Sequence, residues 1–283
     1  MKSTPINRKF FPGSEWLYFN IYTSPIHADN ILINILSPLI NHLLSKKIIH
    51  SFFFIRYNDP YFHIRLRFKI TSNQDVLLII NEVHKKLNIC IKKEHIWKIT
   101  IDTYDREFNR YGKFNIFDTE SLFFYDSLNV LKLLKIIYEN NIQEDIKLLL
   151  SIKYIMNLID VFLDNIEEKI TLLSFMSESF NKEFNLNKKS KKLINAYYAE
   201  LRKLELDDIK IYSNFLYLTT NKNLVMKIKK QLLKDSISLN NYIFSLIHMF
   251  CNRYFNDDNR KMELIVYDFV LKEYNKKKFL EIE

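Results

Sequence analysis

Glycine and proline are nearly missing from this 283-residue chain, which has two glycines, Gly13 and Gly112, and five prolines, the last of them Pro60. These residues are the main interrupters of helices, so the stretch beyond Gly112 is predicted to be helical throughout. Two glycines cannot build a phosphate-cradling loop, which excludes the common nucleotide-binding signatures. Cysteine is equally scarce. Cys90 and Cys251 form no spaced pair, which excludes a disulfide framework or a thiolate metal site and suits a reducing, cytoplasmic setting. No apolar run approaches the roughly 20 residues of a bilayer-spanning helix, and the N-terminal MKSTPINRKFFPGSEW lacks the apolar segment of a secretion signal. HExxH, CxxC and the nucleophile elbow are absent as well. His27, His42, His50, His84 and His95 show no ligand spacing, so neither a metal nor a cofactor is expected.

The chain does carry charge and aromatic surface. Its formal charge is +9, but the lysines are spread along it rather than gathered in one block, as on solvated helix faces. Aromatic residues make up 15% and fall mostly at apolar positions, where core packing accounts for them.

Hydrophobic periodicity orders the elements. After an irregular lead-in (1–15), WLYFNIYT (16–23) reads as a strand. Residues 26–46 carry a helical stripe in which Pro38 predicts a kink or restart. FFFIRYNDPYFHIRLRF (52–68) reads as a hairpin turning at Asn58, Asp59 and Pro60. Residues 74–87 form a helix and IWKITIDTY (96–104) a fourth strand. The order βαββαβ predicts a ferredoxin-like α+β subdomain over 16–115, followed by an all-helical half over 116–283 packed with it as one unit. Helices are expected at 119–140, 144–181, 188–206, 207–217, 221–234, 236–255 and 258–279.

Within the hairpin, alternation places His63, Arg65 and Arg67 on one face and Phe62, Ile64, Leu66 and Phe68 on the other. Charges on a strand commonly guard a sheet edge. In the expected topology this strand is central, which leaves the three donors on the open face opposite the helices. Planar forks two residues apart suit a carboxylate or phosphate. Arg56 depends on the turn: a two- or four-residue loop sets it on the same face, a three-residue loop on the other. Much further along, His248 and Asn252 stand one helical turn apart in the apolar YIFSLIHMFCNRYF, and Arg253 at its end needs an anion or several acceptors. Such a histidine is more often a hydrogen-bonded core residue than a catalyst.

The runs WLYFNIYTSP, FFFIRYNDPYFHIRLRF, YDREFNRYG and SLIHMFCNR, in this order, resemble the C-terminal glutamate-elimination domain of the class I lanthipeptide dehydratases, which also occurs alone in thiopeptide-type bacteriocin clusters. The resemblance covers the chain from about Trp16 to the last helix. It implies a lyase that acts in antibiotic biosynthesis by expelling glutamate from glutamylated Ser or Thr of a precursor peptide, leaving dehydroalanine or dehydrobutyrine. By motif position it assigns elimination to Arg65, Arg67, Arg110 and His248; His63, Arg56, Tyr111, Asn252 and Arg253 are the candidate substrate contacts beside them. It further implies a precursor with a leader and a glutamylated core, a separate tRNA-dependent glutamylation protein, and a cyclase or other modifying enzymes downstream. The family commonly has a second glycine where this chain has Lys113, and often a second histidine where it has Phe250.

Two other readings stay open. Standalone relatives include pyridine synthases, which perform a formal [4+2] cycloaddition on dehydrated thiopeptide precursors. A non-catalytic peptide- or RNA-binding scaffold is the third, although the aromatic RNP1 pattern is absent.

Overall fold

In the computed structural model, which describes residues 6–204 and 222–280, a short strand β1 (Lys9–Phe10) precedes β2 (Trp16–Thr23). A continuous helical run follows, made of α1 (Pro25–Asn30), a π-helical segment (Ile31–Leu36) and α2 (Ser37–Ser45). Next come β3 (Ile49–Asn58), β4 (Phe62–Ile70), a 3-10 turn (Asn73–Asp75) entering α3 (Val76–Lys92), and β5 (Ile96–Asp102). Pro38 falls in the first turn of α2, directly after the π-helical turns, and this wider winding accommodates its missing N–H without a break.

The four strands lie in the order β3-β4-β2-β5, each antiparallel to its neighbour. This is the expected ferredoxin-like arrangement, with β4 in the interior. Register assigns the faces. Leu17, Phe19 and Ile21 of β2 stand opposite Phe68, Leu66 and Ile64 of β4 and form the apolar face. Trp16, Tyr18, Asn20 and Tyr22 stand opposite Lys69, Arg67, Arg65 and His63, which makes the second face aromatic and cationic.

That second face is covered rather than open. The fourth strand ends at Asp102, and Tyr104–Asp105 leave it as β6 to pair with β1, Phe10 opposite Tyr104. The stretch expected to be irregular thus contributes a strand. Burial of aromatic surface accounts for it: the Tyr104 ring stacks on Phe10 and meets Trp16 and Phe53 edge-on at 5.2 and 5.6 Å, an arrangement favourable beyond its area alone.

The helical half comprises α4 (Phe108–Tyr111), α5 (Ile116–Glu139), α6 (Glu144–Phe162), α7 (Ile166–Glu183), α8 (Lys188–Leu201), α9 (Lys222–Lys234), α10 (Leu239–Tyr254) and α11 (Asn259–Leu280). The single helix expected over 144–181 is two, because Asn165 caps a new start: its Oδ1 accepts from the N–H groups of Glu167 and Glu168 at 2.7 and 3.3 Å. The helix expected over 207–217 lies outside the described residues.

Helix α5 joins the two halves. Phe123 packs on Phe53 and Phe124 on Phe52, residues on opposite faces of β3, so the helix straddles the edge of that strand. Ser127 Oγ accepts the Phe54 N–H at 3.3 Å, covering an edge that would otherwise be open to pairing. At its start, Gly112 has φ of 84°, which only glycine adopts cheaply. A Cβ there would also collide with the Asp235 carboxylate, which accepts the Phe114 and Asn115 N–H groups. Lys113 is not among the residues with positive φ, so this turn is built with one glycine.

Candidate functional site

Asn58 pairs with Phe62, which leaves a three-residue loop of Asp59, Pro60 and Tyr61. By that count Arg56 faces away from His63, Arg65 and Arg67. It is buried and pairs with Asp29 at 2.6 Å, with the Arg253 carbonyl at 2.9 Å and with Asn256 Oδ1 at 2.5 Å. Arg253 is equally enclosed, donating to Asp126 at 2.6 Å and to Ser127 at 3.1 Å. Both are expected substrate contacts; in the structure both serve as struts between the sheet and the helices, because a buried guanidinium is tolerated only with acceptors around it, and Arg56 also lines a cavity with His248 and Asn252. Tyr111 is buried against Phe123 and Tyr242. Burial first, and then the Glu107 charge, push its phenol up to about 12, so it stays neutral and supports α4 from inside.

The other comb residues differ. Arg67 is 8% exposed, its guanidinium lying 4.1 Å from the Tyr18 ring and 5.1 Å from those of Phe53 and Tyr104. Its Nε is buried without a hydrogen-bond partner among the described residues, and burial lowers its pKa from the ordinary arginine value. Arg65 lies 3.5 Å from the Tyr57 ring and donates from Nε to His63 Nε2 at 3.0 Å. The other ring nitrogen, Nδ1, is 2.7 Å from the Tyr61 carbonyl oxygen. A carbonyl only accepts, so Nδ1 carries the proton and His63 is neutral.

Burial, helped by the charges of Arg65 and Arg67, depresses the His63 pKa against the opposing pull of the Tyr61 carbonyl and Asp59. The folded chain therefore binds a proton at His63 less readily than the unfolded chain, which titrates near 6.5. The stability from neutral His63 is fully present above that pH and lost as pH falls through the folded value. Thermal midpoints measured from about pH 8 down to about pH 5 are expected to fall less in His63→Gln than in the parent. An equal fall in both excludes this role.

Arg110, on the short α4, pairs with Glu107 at 3.4 Å, both side chains half-exposed. Burial opposes its charge, but Glu107, Tyr111 and Tyr57 more than offset this and raise its pKa. Glu107 acts on Arg67 as well, and Tyr57, which carries Arg65, acts on Arg110. The comb and α4 thus share one electrostatic environment. Arg110 and Glu107 line a cavity of about 760 Å³ with Arg8, Asn241, His248 and Arg260. A second cavity of about 450 Å³, lined by Tyr57, Asn252 and Asp257 among others, has His248 and Arg260 in its wall too.

On α10, His248 Nδ1 lies 2.6 Å from Glu263 Oε1 and Nε2 lies 2.9 Å from Asn252 Nδ2. An ionised Glu263 can only accept, so the partners assign the proton to Nδ1 and the lone pair to Nε2. Glu263, fully buried, also receives Arg260 at 3.0 Å.

A family model described as the C-terminal part of the lantibiotic biosynthesis dehydratases matches residues 16–274. The chain belongs to that family. The nisin biosynthesis protein NisB of Lactococcus lactis is 31% identical over 95% of this chain and 27% of its own length. The epidermin biosynthesis protein EpiB of Staphylococcus epidermidis is 25% identical over 94% and 27%. The chain therefore spans about a quarter of these curated relatives. Among solved structures, the tRNA-dependent lantibiotic dehydratase MibB of a Microbispora species superposes with a TM-score of 0.69 at 18% identity, over 98% of this chain and 29% of that one. The pyridine synthase TbtD of thiomuracin biosynthesis superposes at 0.57 and 10%, over 95% and 99%. At these identities both show the fold.

As a lantibiotic dehydratase C-terminal chain, the protein gathers Arg110, His248 and Asn252 around two cavities that share His248 and Arg260 and brings Arg65 to the second through Tyr57, while Arg67 lines neither. Glu107, Arg260 and Glu263 belong to the same arrangement and were not singled out from the sequence. Glu107 lies within the quoted YDREFNRYG. Arg260 and Glu263 stand at i,i+3 in a helix rich in Lys and Glu, where such pairs are ordinary surface chemistry. Chemically the arrangement offers the Arg110 guanidinium and the His248 imidazole in the wall of one cavity. Among the described residues no group of three or more His, Cys, Asp or Glu gathers to hold a metal, and no helix is long and apolar enough to cross a membrane.

Proposed function

We propose that this chain eliminates glutamate from glutamylated Ser or Thr side chains of a ribosomally made precursor peptide, leaving dehydroalanine or dehydrobutyrine. The observation that carries the reading is Arg67, a nearly enclosed guanidinium with no acid partner among the described residues. A cation held out of water at that cost needs an incoming anion to offset it. The glutamyl adduct supplies one in its free carboxylate, and a second forms as glutamate departs.

In the proposed reaction His248 Nε2, released from the Asn252 amide that it accepts from in the substrate-free protein, accepts the α-proton of the modified residue. The electron pair of that C–H bond becomes the new Cα–Cβ double bond, the Cβ–O bond breaks, and glutamate leaves as its carboxylate. Glu263 supports the imidazolium formed in between, through the Nδ1 hydrogen bond. Arg65, Arg67 and Arg110 hold the glutamyl group and oppose the negative charge on the peptide carbonyl and the leaving oxygen. His63 orients Arg65 and Asn252 orients His248. Glutamylation itself is assigned to a separate tRNA-dependent protein, with both steps in the cytoplasm.

A second reading, cycloaddition on a dehydrated thiopeptide precursor, is favoured by one observation: the chain matches TbtD over 99% of that protein's length. The 31% identity to NisB against 10% to TbtD ranks elimination first. Offering the purified protein both substrates separates them. Loss of the mass of glutamate from a glutamylated precursor is expected. Inertness on that peptide, with release of the leader from a dehydrated thiazolyl peptide, excludes the elimination reading.

A further inference from the structure

We infer that Arg260 is a positioning residue for His248, acting through Glu263. The inference rests on His248 being the proton-transfer group of the elimination proposed above. Arg260 lines both cavities, and by its place alone it reads as another anion receptor beside Arg110. Its hydrogen bonds argue otherwise. Nε and one terminal nitrogen go to the two carboxylate oxygens of Glu183 on α7, the other terminal nitrogen goes to Glu263 Oε2 at 3.0 Å, and the Phe180 ring supports the guanidinium at 4.1 Å. The fork is filled from within the protein, in contrast to Arg67.

What it holds is consequential. Glu263 is fully buried and has two oxygens to satisfy. Oε1 takes the His248 Nδ1–H. Oε2 has Arg260 at 3.0 Å and, at the outer limit of a hydrogen bond, the Tyr267 hydroxyl at 3.5 Å. Arg260 is thus the cation that pairs with the buried Glu263 carboxylate and fixes its rotation. The Glu263 carboxylate in turn keeps the proton on Nδ1 and the lone pair on Nε2, where it accepts from the Asn252 amide. The same residue fastens α11 to α7 through Glu183, so a purely structural role is the alternative to be separated.

Three variants separate them. In Arg260→Gln, Glu263 loses its charged partner, and the strongly hydrogen-bonded Nδ1–H proton of His248 is expected to vanish from the far-downfield NMR spectrum. Elimination is expected to slow about tenfold in kcat with KM within about twofold, as for misplacement of a reacting group. Arg260→Lys keeps a cation for Glu263 but cannot bridge to Glu183 as a fork, and is expected to keep the signal and most of kcat. Glu183→Gln, which loosens the link to α7 and leaves the Arg260–Glu263 pair, is expected to keep both. The inference is overturned if Arg260→Gln retains the signal, if Glu183→Gln loses it equally, or, should Arg260→Gln not fold, if Arg260→Lys loses it. The NMR signal belongs to the substrate-free protein, so it decides the positioning even if glutamate elimination is not the reaction.

Discussion

Arg67→Met is expected to reduce glutamate elimination by a factor of about 10²–10³, the scale seen on removal of a preorganised charge-stabilising donor, and to raise the thermal midpoint while doing so. The two effects share a cause. Arg67 lies among Tyr18, Phe53 and Tyr104 with its Nε unpaired, so the resting fold carries the desolvation of a cation that the ring faces offset only in part. Methionine has a similar reach and a polarizable thioether that suits an aromatic surround. Relief of about 1 kcal/mol corresponds to about 2–4 °C in a chain of this size. Arg67→Lys keeps the charge but not the planar fork, and is expected to lose most activity without gaining stability. Elimination rates from intact-peptide mass spectra and midpoints from calorimetry check both. A stable, active Arg67→Met removes the reason for placing the glutamyl group on this face.

Asp126→Ala is expected to cost about 3–5 kcal/mol, the penalty for removing one partner of a buried ion pair. Asp126 accepts Arg253 at 2.6 Å and the Tyr154 hydroxyl at 2.5 Å. Burial pushes its carboxyl up, while Arg253 and Tyr154 draw it back toward the ionised form. Without it, a wholly buried Arg253 keeps only Ser127, whose hydroxyl also accepts the Phe54 N–H of β3. The Arg253 carbonyl in turn receives Arg56, so the loosening reaches the sheet edge and the α10 terminus together. A large drop in the urea midpoint, seen alike by far-UV circular dichroism and tryptophan fluorescence, is expected. An unfolding free energy within about 0.5 kcal/mol of the parent, the range of an ordinary surface substitution, contradicts the central place given to this pair.

The ferredoxin-like order was legible because strand and helix periods differ, and the period of two along 62–68 separated His63, Arg65 and Arg67 from the core residues correctly. Arg56 was not, because its face turns on the loop length. Pairing of Asn58 with Phe62 is a tertiary outcome that the residues Asp59, Pro60 and Tyr61 do not encode by type. The covering of the cationic face was missed for a related reason: Tyr104 continues an alternating run, and its pairing with Phe10, far away in the chain, takes it out of the sheet. The break before α7 carried a local signal in Asn165, Glu167 and Glu168 that the unbroken apolar period concealed. His248 stood out as a polar residue on an apolar helix. Its support did not, since Arg260 and Glu263 acquire meaning only when α11 packs beside α10.

The most direct test of the proposed chemistry is incubation of the parent protein and His248→Ala with one glutamylated precursor peptide, followed by intact mass and thiol-trapping of dehydro residues. The parent is expected to convert the glutamylated peptide to a thiol-reactive product, while His248→Ala leaves it glutamylated. Equal conversion by both proteins, or persistence of the glutamylated peptide with the parent, contradicts the assignment of glutamate elimination to this site.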